Sequence, residues 1–394
     1  MKYDVIIIGA GLVGLATAYQ CLKKNQNLRI LILEKESIVA KHQSGHNSGV
    51  IHSGIYYKPK SLKAKNCLEG YDSIINFAKE HDVKYDLCGK IIVATSSEEI
   101  PLLENIYNRG RENGLQNLRY LSRDEFREIE PHCEGVKAIK VPQTGIIDYP
   151  GIANKIKDLF VALGGEIEFS QLVNNIVENI DRITVITDKK EFITKKLVSC
   201  AGLYSDKITK MTNDKNDVII IPFRGEYYKL KEDKEYLVNH LIYPVPDPNF
   251  PFLGVHFTRM IGGGIEAGPN AVLAFKKEGY NFSDFNFSET MHTLTWPGFR
   301  KIVAKYGKTG LGEMHRSLSK SAFTNALQKL LPEIQEQDLV PGGSGVRAQA
   351  CDRNGGLLDD FDIVRNGNII HVRNAPSPAA TSCLAVGNTI SELI

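Results

Sequence analysis

Near the amino terminus an apolar run, Tyr3 to Ile8 (YDVIII), stops abruptly in the glycine-rich stretch GAGLVG, and helix-compatible apolar spacing then runs from Leu12 to Leu22. A second apolar run, Leu28 to Leu33 (LRILIL), ends at Glu34. Strand, glycine turn, helix and strand in this order predict the start of an α/β domain built on a parallel sheet. Gly9, Gly11 and Gly14 have distinct tasks: closing the turn, letting a pyrophosphate approach the backbone, and packing the helix on the sheet. Glu34 follows Gly14 by 20 residues, where a carboxylate can accept hydrogen bonds from a ribose and repel a 2′-phosphate. The pattern predicts a dinucleotide site, and by itself separates neither FAD from NAD.

With 394 residues the chain exceeds the ~250–300 at which one core usually divides, so two domains are expected. Amphipathic spacing predicts helices through Leu62–Ala78 and Ile152–Leu163, the latter ending before Gly164-Gly165, with a strand at Glu166–Phe169. The stretch 218–331 mixes β-branched and aromatic runs with turns at Gly225, Pro246, Pro248, Pro251, Gly262–Gly264 and Pro269, and reads as a sheet-containing second domain with one helical segment near Phe285–Met291. A strand at Asn368–Val372 and a final helix over Ala385–Ile394 suggest a return to the first domain. A formal net charge of +2 gives no global field for gathering nucleic acid. Seven scattered cysteines without a CxxC pair favour a reducing compartment. The most apolar N-terminal stretch, Val5–Ala18, is shorter than the ~20 residues that span a bilayer. The expected location is cytoplasmic, with peripheral contact at the inner face of the cell membrane left open.

Four further segments narrow the cofactor. They are HQSGHNSGVIHSGIYY at 42–57, SCAGLYSD at 199–206, GGSGVRAQ at 342–349 and HVRNAPSPAAT at 371–381. Together with the glycine turn they resemble, over nearly the whole chain, the L-2-hydroxyglutarate oxidase/dehydrogenase group of D-amino-acid-oxidase-like FAD-dependent oxidoreductases. The resemblance implies FAD as cofactor. It also implies a discontinuous Rossmann-like FAD domain (1–88, 145–217 and 335–394) and an α+β substrate domain (89–144 and 218–334) with an antiparallel sheet. Cofactor contacts would come from Gly9, Gly11, Gly14, Glu34, Lys35, Gln43, Ser44, Asn47, Ser48, Gly49, Val173, Ala201, Gly202, Gly345, Pro378, Ala379, Ala380 and Thr381. The implied reaction is oxidation of a small dicarboxylic hydroxy acid, L-2-hydroxyglutarate, to 2-oxoglutarate by hydride transfer from C2 to flavin N5, with electrons passed to oxygen or a membrane quinone. Oxidation of another 2-hydroxy acid or an amino acid, and a noncatalytic flavoprotein, are the alternatives.

Oxidising a 2-hydroxy acid needs a proton acceptor for the hydroxyl, a role suited to histidine. His52, in the flavin-proximal segment, is the first candidate, and His256, in GVHFTR, the second; strand alternation places His256 and Thr258 on one face and Arg259 on the other. Carboxylates call for arginine, whose planar fork binds them bidentately. Arg347 leads, because wider-family enzymes hold an acid with an arginine in a similar GxR segment, although Ala348 stands here where the amino-acid-oxidising members have proline. Arg224, Tyr227, Arg259 and Arg373 are candidates for the remote carboxylate, and Tyr56 and Tyr57 for shaping the pocket. Each has a structural alternative in ion pairing or core packing. His42 and His46 are four apart in a turn-rich setting without a completing carboxylate motif, so no metal is expected.

Overall fold

The computed structural model describes residues 2–212, 217–247 and 253–394. The turns expected at Pro248 and Pro251 lie outside the described residues. Lys2–Ile8 forms the central strand of a parallel group, flanked by Ile30–Leu33 on one side and Glu191–Ser199 on the other. Glu166–Glu168 extends the group beyond Ile30–Leu33, and Ile369–Asn374 extends it beyond Glu191–Ser199, both in parallel. Val173–Glu178, Ile183–Thr187 and Asp362–Asn366 add antiparallel pairings at its margin. The strands are almost continuously apolar because both faces are covered, as parallel sheets require. One face packs against the helices Leu12–Lys24, Tyr149–Ala162 and Cys383–Glu392 in a single core that includes Ile7, Leu15, Ile32, Ile152, Val198 and Ile390. The first and last helices approach closely: a Cβ on Gly387 would stand 2.6 Å from the backbone carbon of Ala16.

The second large sheet orders its strands Val272–Leu273, Val218–Leu230, Ile265–Gly268, His256–Arg259, Leu241–Pro244, Lys90–Ala94, Lys137–Val141 and Arg119–Leu121. All these pairings are antiparallel except Leu241–Pro244 with Lys90–Ala94. The expected α/β architecture, a Rossmann-like region joined to a mixed, largely antiparallel sheet with its own helices, is the architecture observed. A small sheet of Val50–Ile51, Gly145–Ile147 and Tyr85–Asp86 also forms.

Three features depart from the reading of the sequence. Gly225, expected at a turn, lies inside the strand Val218–Leu230 and pairs with Gly345. Leu339–Asp352 pairs along its length with Val218–Leu230, so by hydrogen bonding it belongs to the second sheet, although the sequence division at 335 assigns it to the first domain. The 218–331 stretch also holds more helix than the single segment expected, which appears as Phe287–Thr295: Pro297–Leu318 and Lys320–Leu327 follow it. The first of these carries Gly298, Gly307, Gly310 and Gly312, and an interior glycine costs about 1 kcal/mol of helix propensity relative to alanine. Among the described residues no helix is long and apolar enough to cross a membrane.

Candidate active site

A cavity of about 810 Å³ opens where the parallel strands end at their carboxyl termini. Gly9 follows the first strand, Glu34 the second, Cys200 and Ala201 the strand ending at Ser199, and Ala375 the strand ending at Asn374; all five line it. Ligands of open α/β sheets collect at this end because helix amides and strand-end loops converge there. Gly9 adopts φ +101°, and a Cβ on it would lie 2.6 Å from the carbonyl oxygen of Cys200. A Cβ on Gly14 would lie 2.0 Å from the carbonyl oxygen of Gly9. The turn is therefore closed to any larger residue. Both carboxylate oxygens of Glu34 accept backbone N–H bonds, from Ala10 at 2.7 Å and Glu36 at 2.9 Å, and lone pairs remain for a ribose.

The loop after the second strand is tied to this turn. Ser44 Oγ accepts from the Leu12 N–H at 3.0 Å, at the start of the first helix. Asn47 holds the loop by donating to the carbonyls of Gln43 and Ser44 and accepting from the Gly49 N–H. Gly11, Gln43, Ser48, Val173, Gly202, Gly345, Pro378, Ala379 and Ala380 also line the cavity. Lys35 lines it as well, its ammonium held between Glu36 and, at 2.7 Å, Glu278. His42 joins both carboxylates at 2.9 Å. Burial pulls the His42 pKa down, but the hydrogen bonds to Glu278 and Glu36 hold it above its ordinary value. A glycine cradle, a carboxylate with lone pairs left for a ribose, and a cavity of about 810 Å³ lined from both sheets fit FAD.

The far end of the cavity is built by the second sheet and the 371–381 segment. His52, Tyr227, Tyr243, His256, Arg347 and Ser377 line it. His52 is anchored through its backbone, with its N–H donating to Thr381 Oγ1 at 3.1 Å and its carbonyl accepting from Cys67; its Nε2 lies 3.3 Å from Ser377 Oγ. Burial first, then the positive charges of Lys90, Lys63 and Arg347 and the neighbouring His256, push its pKa down to about 3. His256 bonds the Gly254 carbonyl at 2.9 Å through Nδ1, and its ring lies against Tyr243 at 4.0 Å between centroids. Burial, with Lys90 and Arg347, pushes its pKa down to about 4. Both imidazoles are neutral near pH 7. Arg347 opens onto the cavity, with its side chain exposed there. Burial lowers its pKa, opposed by Tyr227, Tyr57 and Asp359.

Several sequence candidates fall elsewhere. Arg259 is outside the cavity lining and paired with Asp86, a charge neutralised locally, which removes it as a carboxylate anchor in this arrangement. Arg224 reaches the lining, but its side chain is 1% exposed and bound to Glu226 at 2.8 Å. Arg373 also lines the cavity, with Asp217 at 3.0 Å and Asp362 at 2.9 Å beside its guanidinium. Tyr56, Tyr57, Gly49 and Thr381 are not on the lining. Thr381 sits directly behind it, bonded to the hydroxyl of Tyr149 at 2.8 Å and to the His52 N–H.

Sequence reasoning missed Tyr243 and Ser377, which line the cavity, and Lys90, which packs behind Tyr243 off the lining. Tyr243 and Lys90 occupy apolar strands, LIYP and KIIVA, in which an aromatic reads as core and a leading lysine as a solvated end. Lys90 is instead 3% exposed. Only the pairing of the two strands could have signalled their meeting.

The fold and the site define a flavin-type dinucleotide enzyme, with a nucleotide cradle on one sheet and an ionisable pocket on the other. The sequence matches the DAO family, described as FAD dependent oxidoreductase, over residues 4–393. The chain belongs to this family, and it is an FAD-dependent oxidoreductase. It is 58% identical over 393 residues to L-2-hydroxyglutarate dehydrogenase of Indibacter alkaliphilus, covering 100% of this chain and 98% of that one. It is 45% identical over 386 residues to L-2-hydroxyglutarate dehydrogenase of Escherichia coli strain K12, covering 98% and 91%. Among solved structures, FAD-bound L-alpha-glycerophosphate oxidase from Mycoplasma pneumoniae has the same fold, with a TM-score of 0.81 at 22% identity and coverage of 100% and 95%. Glycine oxidase from Geobacillus kaustophilus follows with a TM-score of 0.73 at 17% identity, covering 100% and 94%.

Proposed function

We propose that this enzyme oxidises L-2-hydroxyglutarate to 2-oxoglutarate, the activity named for the relatives that match it end to end. The observation that carries the reading is the meeting of two neutral histidines and Arg347 at one end of the FAD-sized cavity. When bound, FAD supplies the two-electron acceptor for the C2 hydride. The chain supplies the remainder. Arg347 holds the carboxylate next to C2 and so fixes the distance and the face presented.

The hydroxyl proton moves to His256 Nε2, because the Gly254 carbonyl holds the proton on Nδ1 and leaves Nε2 with a lone pair. His52 flanks the same pocket and, through Ser377 and Thr381, positions the loop that forms its wall. A bound substrate anion beside these rings offsets the cationic field and raises their basicity as the proton is transferred.

Two electrons per turnover leave for oxygen or a membrane quinone, and hydrogen peroxide formed per turnover in air separates the two. The reading is tested by mixing holoenzyme anaerobically with L-2-hydroxyglutarate, its D form, L-lactate, glycerol 3-phosphate and amino acids. Bleaching of the flavin by the L form ahead of all others is expected. Faster bleaching by any of the others overturns the assignment.

A further inference from the structure

Lys90 begins a strand of the second sheet and points to the face that carries the site. Its partner across the parallel pairing is Leu241, which in turn faces Thr258, so Lys90, Tyr243 and His256 project from one side of the sheet. The ammonium lies 4.5 Å from the ring centroid of Tyr56 and 4.6 Å from that of Tyr243. Tyr243 is the ring that packs on His256 at the cavity wall. Among the described residues no carboxylate pairs with Lys90. Two aromatic faces recover only part of the cost of taking an ammonium out of water. Lys90, Arg347 and, at His52, Lys63 are the cations that lower the pKa of the two histidines; Lys63 is paired with Asp359 at 2.7 Å.

We propose that Lys90 is the specificity-determining cation for the second carboxylate of the substrate, so that the pocket selects dicarboxylic over monocarboxylic 2-hydroxy acids. This rests on the function proposed above and extends it. Arg347 and Lys90 carry two positive charges, matching a dianion; a monocarboxylate leaves Lys90 uncompensated. Lys90 is not itself on the cavity lining; it lies behind Tyr243, which is, and acts through that ring as a positioning and selecting charge rather than a group in the proton transfer.

The charge has a pH signature. Burial pushes the Lys90 pKa down to about 7, opposed only by Cys67. The other groups facing this region are His52 at about 3, His256 at about 4, Cys67 at about 12, the tyrosines Tyr56 and Tyr243, both pushed up, Lys63 and Arg347. Through neutral and mildly alkaline pH, Lys90 is therefore the buried group among them that changes charge. Anion binding to it requires the proton, so affinity falls as pH rises above about 7.

The experiment measures binding of glutarate and of pentanoate, its monocarboxylate counterpart, to oxidised holoenzyme by perturbation of the flavin absorption band. In the wild type, glutarate affinity is expected to fall about tenfold per pH unit above the Lys90 pKa while pentanoate affinity stays level. Lys90→Met should weaken glutarate about 100-fold and leave pentanoate within about threefold, and Lys90→Arg should retain the preference for glutarate. Equal losses for both ligands, or a wild-type glutarate affinity that does not depend on pH in this range, overturn the proposal. The wild-type series decides the matter if Lys90→Met fails to fold. If L-2-hydroxyglutarate bleaches the flavin but glutarate preference is independent of Lys90, this inference fails alone. If another dicarboxylate is the substrate and the preference still follows Lys90, the proposed function fails and this inference stands.

Discussion

The Nδ1–H of His256 donates to the Gly254 carbonyl at 2.9 Å, and a carbonyl only accepts, so the free nitrogen of this neutral ring is Nε2. Among the described residues no backbone acceptor fixes the His52 ring in the same way; its Nε2 faces a serine hydroxyl, which can donate or accept. We therefore expect His256→Ala to retain FAD and slow flavin reduction by L-2-hydroxyglutarate by about 10²–10⁴-fold in stopped flow, the range for losing a general base. His52→Ala should slow it less. The opposite ranking would move the proton acceptor to His52.

The acid side of the pH profile follows from the same rings. A group with its pKa lowered is in its basic form above the folded pKa and is lost as a base only when pH falls through it. With His256 at about 4 and His52 at about 3, kcat/KM should show no limb near the ordinary imidazole value of ~6.5 and should stay level down to about pH 5. A protonation step of kcat/KM between pH 6 and 7, roughly the free-histidine range, would mean that the base lies elsewhere.

Arg347 opens onto the cavity from the strand Leu339–Asp352. Arg347→Lys keeps the charge but not the planar fork, and Arg347→Ala keeps neither. Steady-state kinetics should show KM rising in both and kcat/KM falling about 100-fold or more in the alanine variant. Unchanged saturation in Arg347→Ala would remove it as the carboxylate anchor.

Gly14 faces the carbonyl oxygen of Gly9. Gly14→Ala must displace that oxygen and with it the turn that would meet the pyrophosphate, at an overpacking cost of about 1–3 kcal/mol. Thermal denaturation should show the loss, and the purified protein should retain less FAD by its visible absorption. Full flavin occupancy at wild-type Tm would contradict the cradle.

Lys277 and Asp206 form a buried pair at 2.5 Å, with side chains 2% and 3% exposed, and join the segment after the parallel sheet to a loop of the second region. Lys277 also donates to the Leu203 carbonyl at 2.9 Å. Lys277→Met leaves Asp206 buried without its cation, and breaking such a pair costs about 3–5 kcal/mol. Chemical denaturation of the holoenzyme should show a loss of that order; a change within about 0.5 kcal/mol would place the pair among the energetically neutral ones.

The amino-acid sequence by itself determined the nucleotide end of this enzyme. Its signal is local: an apolar strand, three glycines and a carboxylate at fixed spacing lie within one strand–helix–strand unit, so chain proximity does the work of tertiary contact. His52, His256 and Arg347 were likewise legible as residue types in short motifs. What only the tertiary structure decided was their company. Arg224 and Arg259 carry the same side chain as Arg347, and folding pairs them with Glu226 and Asp86. Lys90 and Tyr243 are 153 positions apart and meet because Lys90–Ala94 and Leu241–Pro244 pair in parallel. Whether a charged side chain is solvated, paired or enclosed depends on the surfaces that folding brings around it, and burial then sets its protonation state.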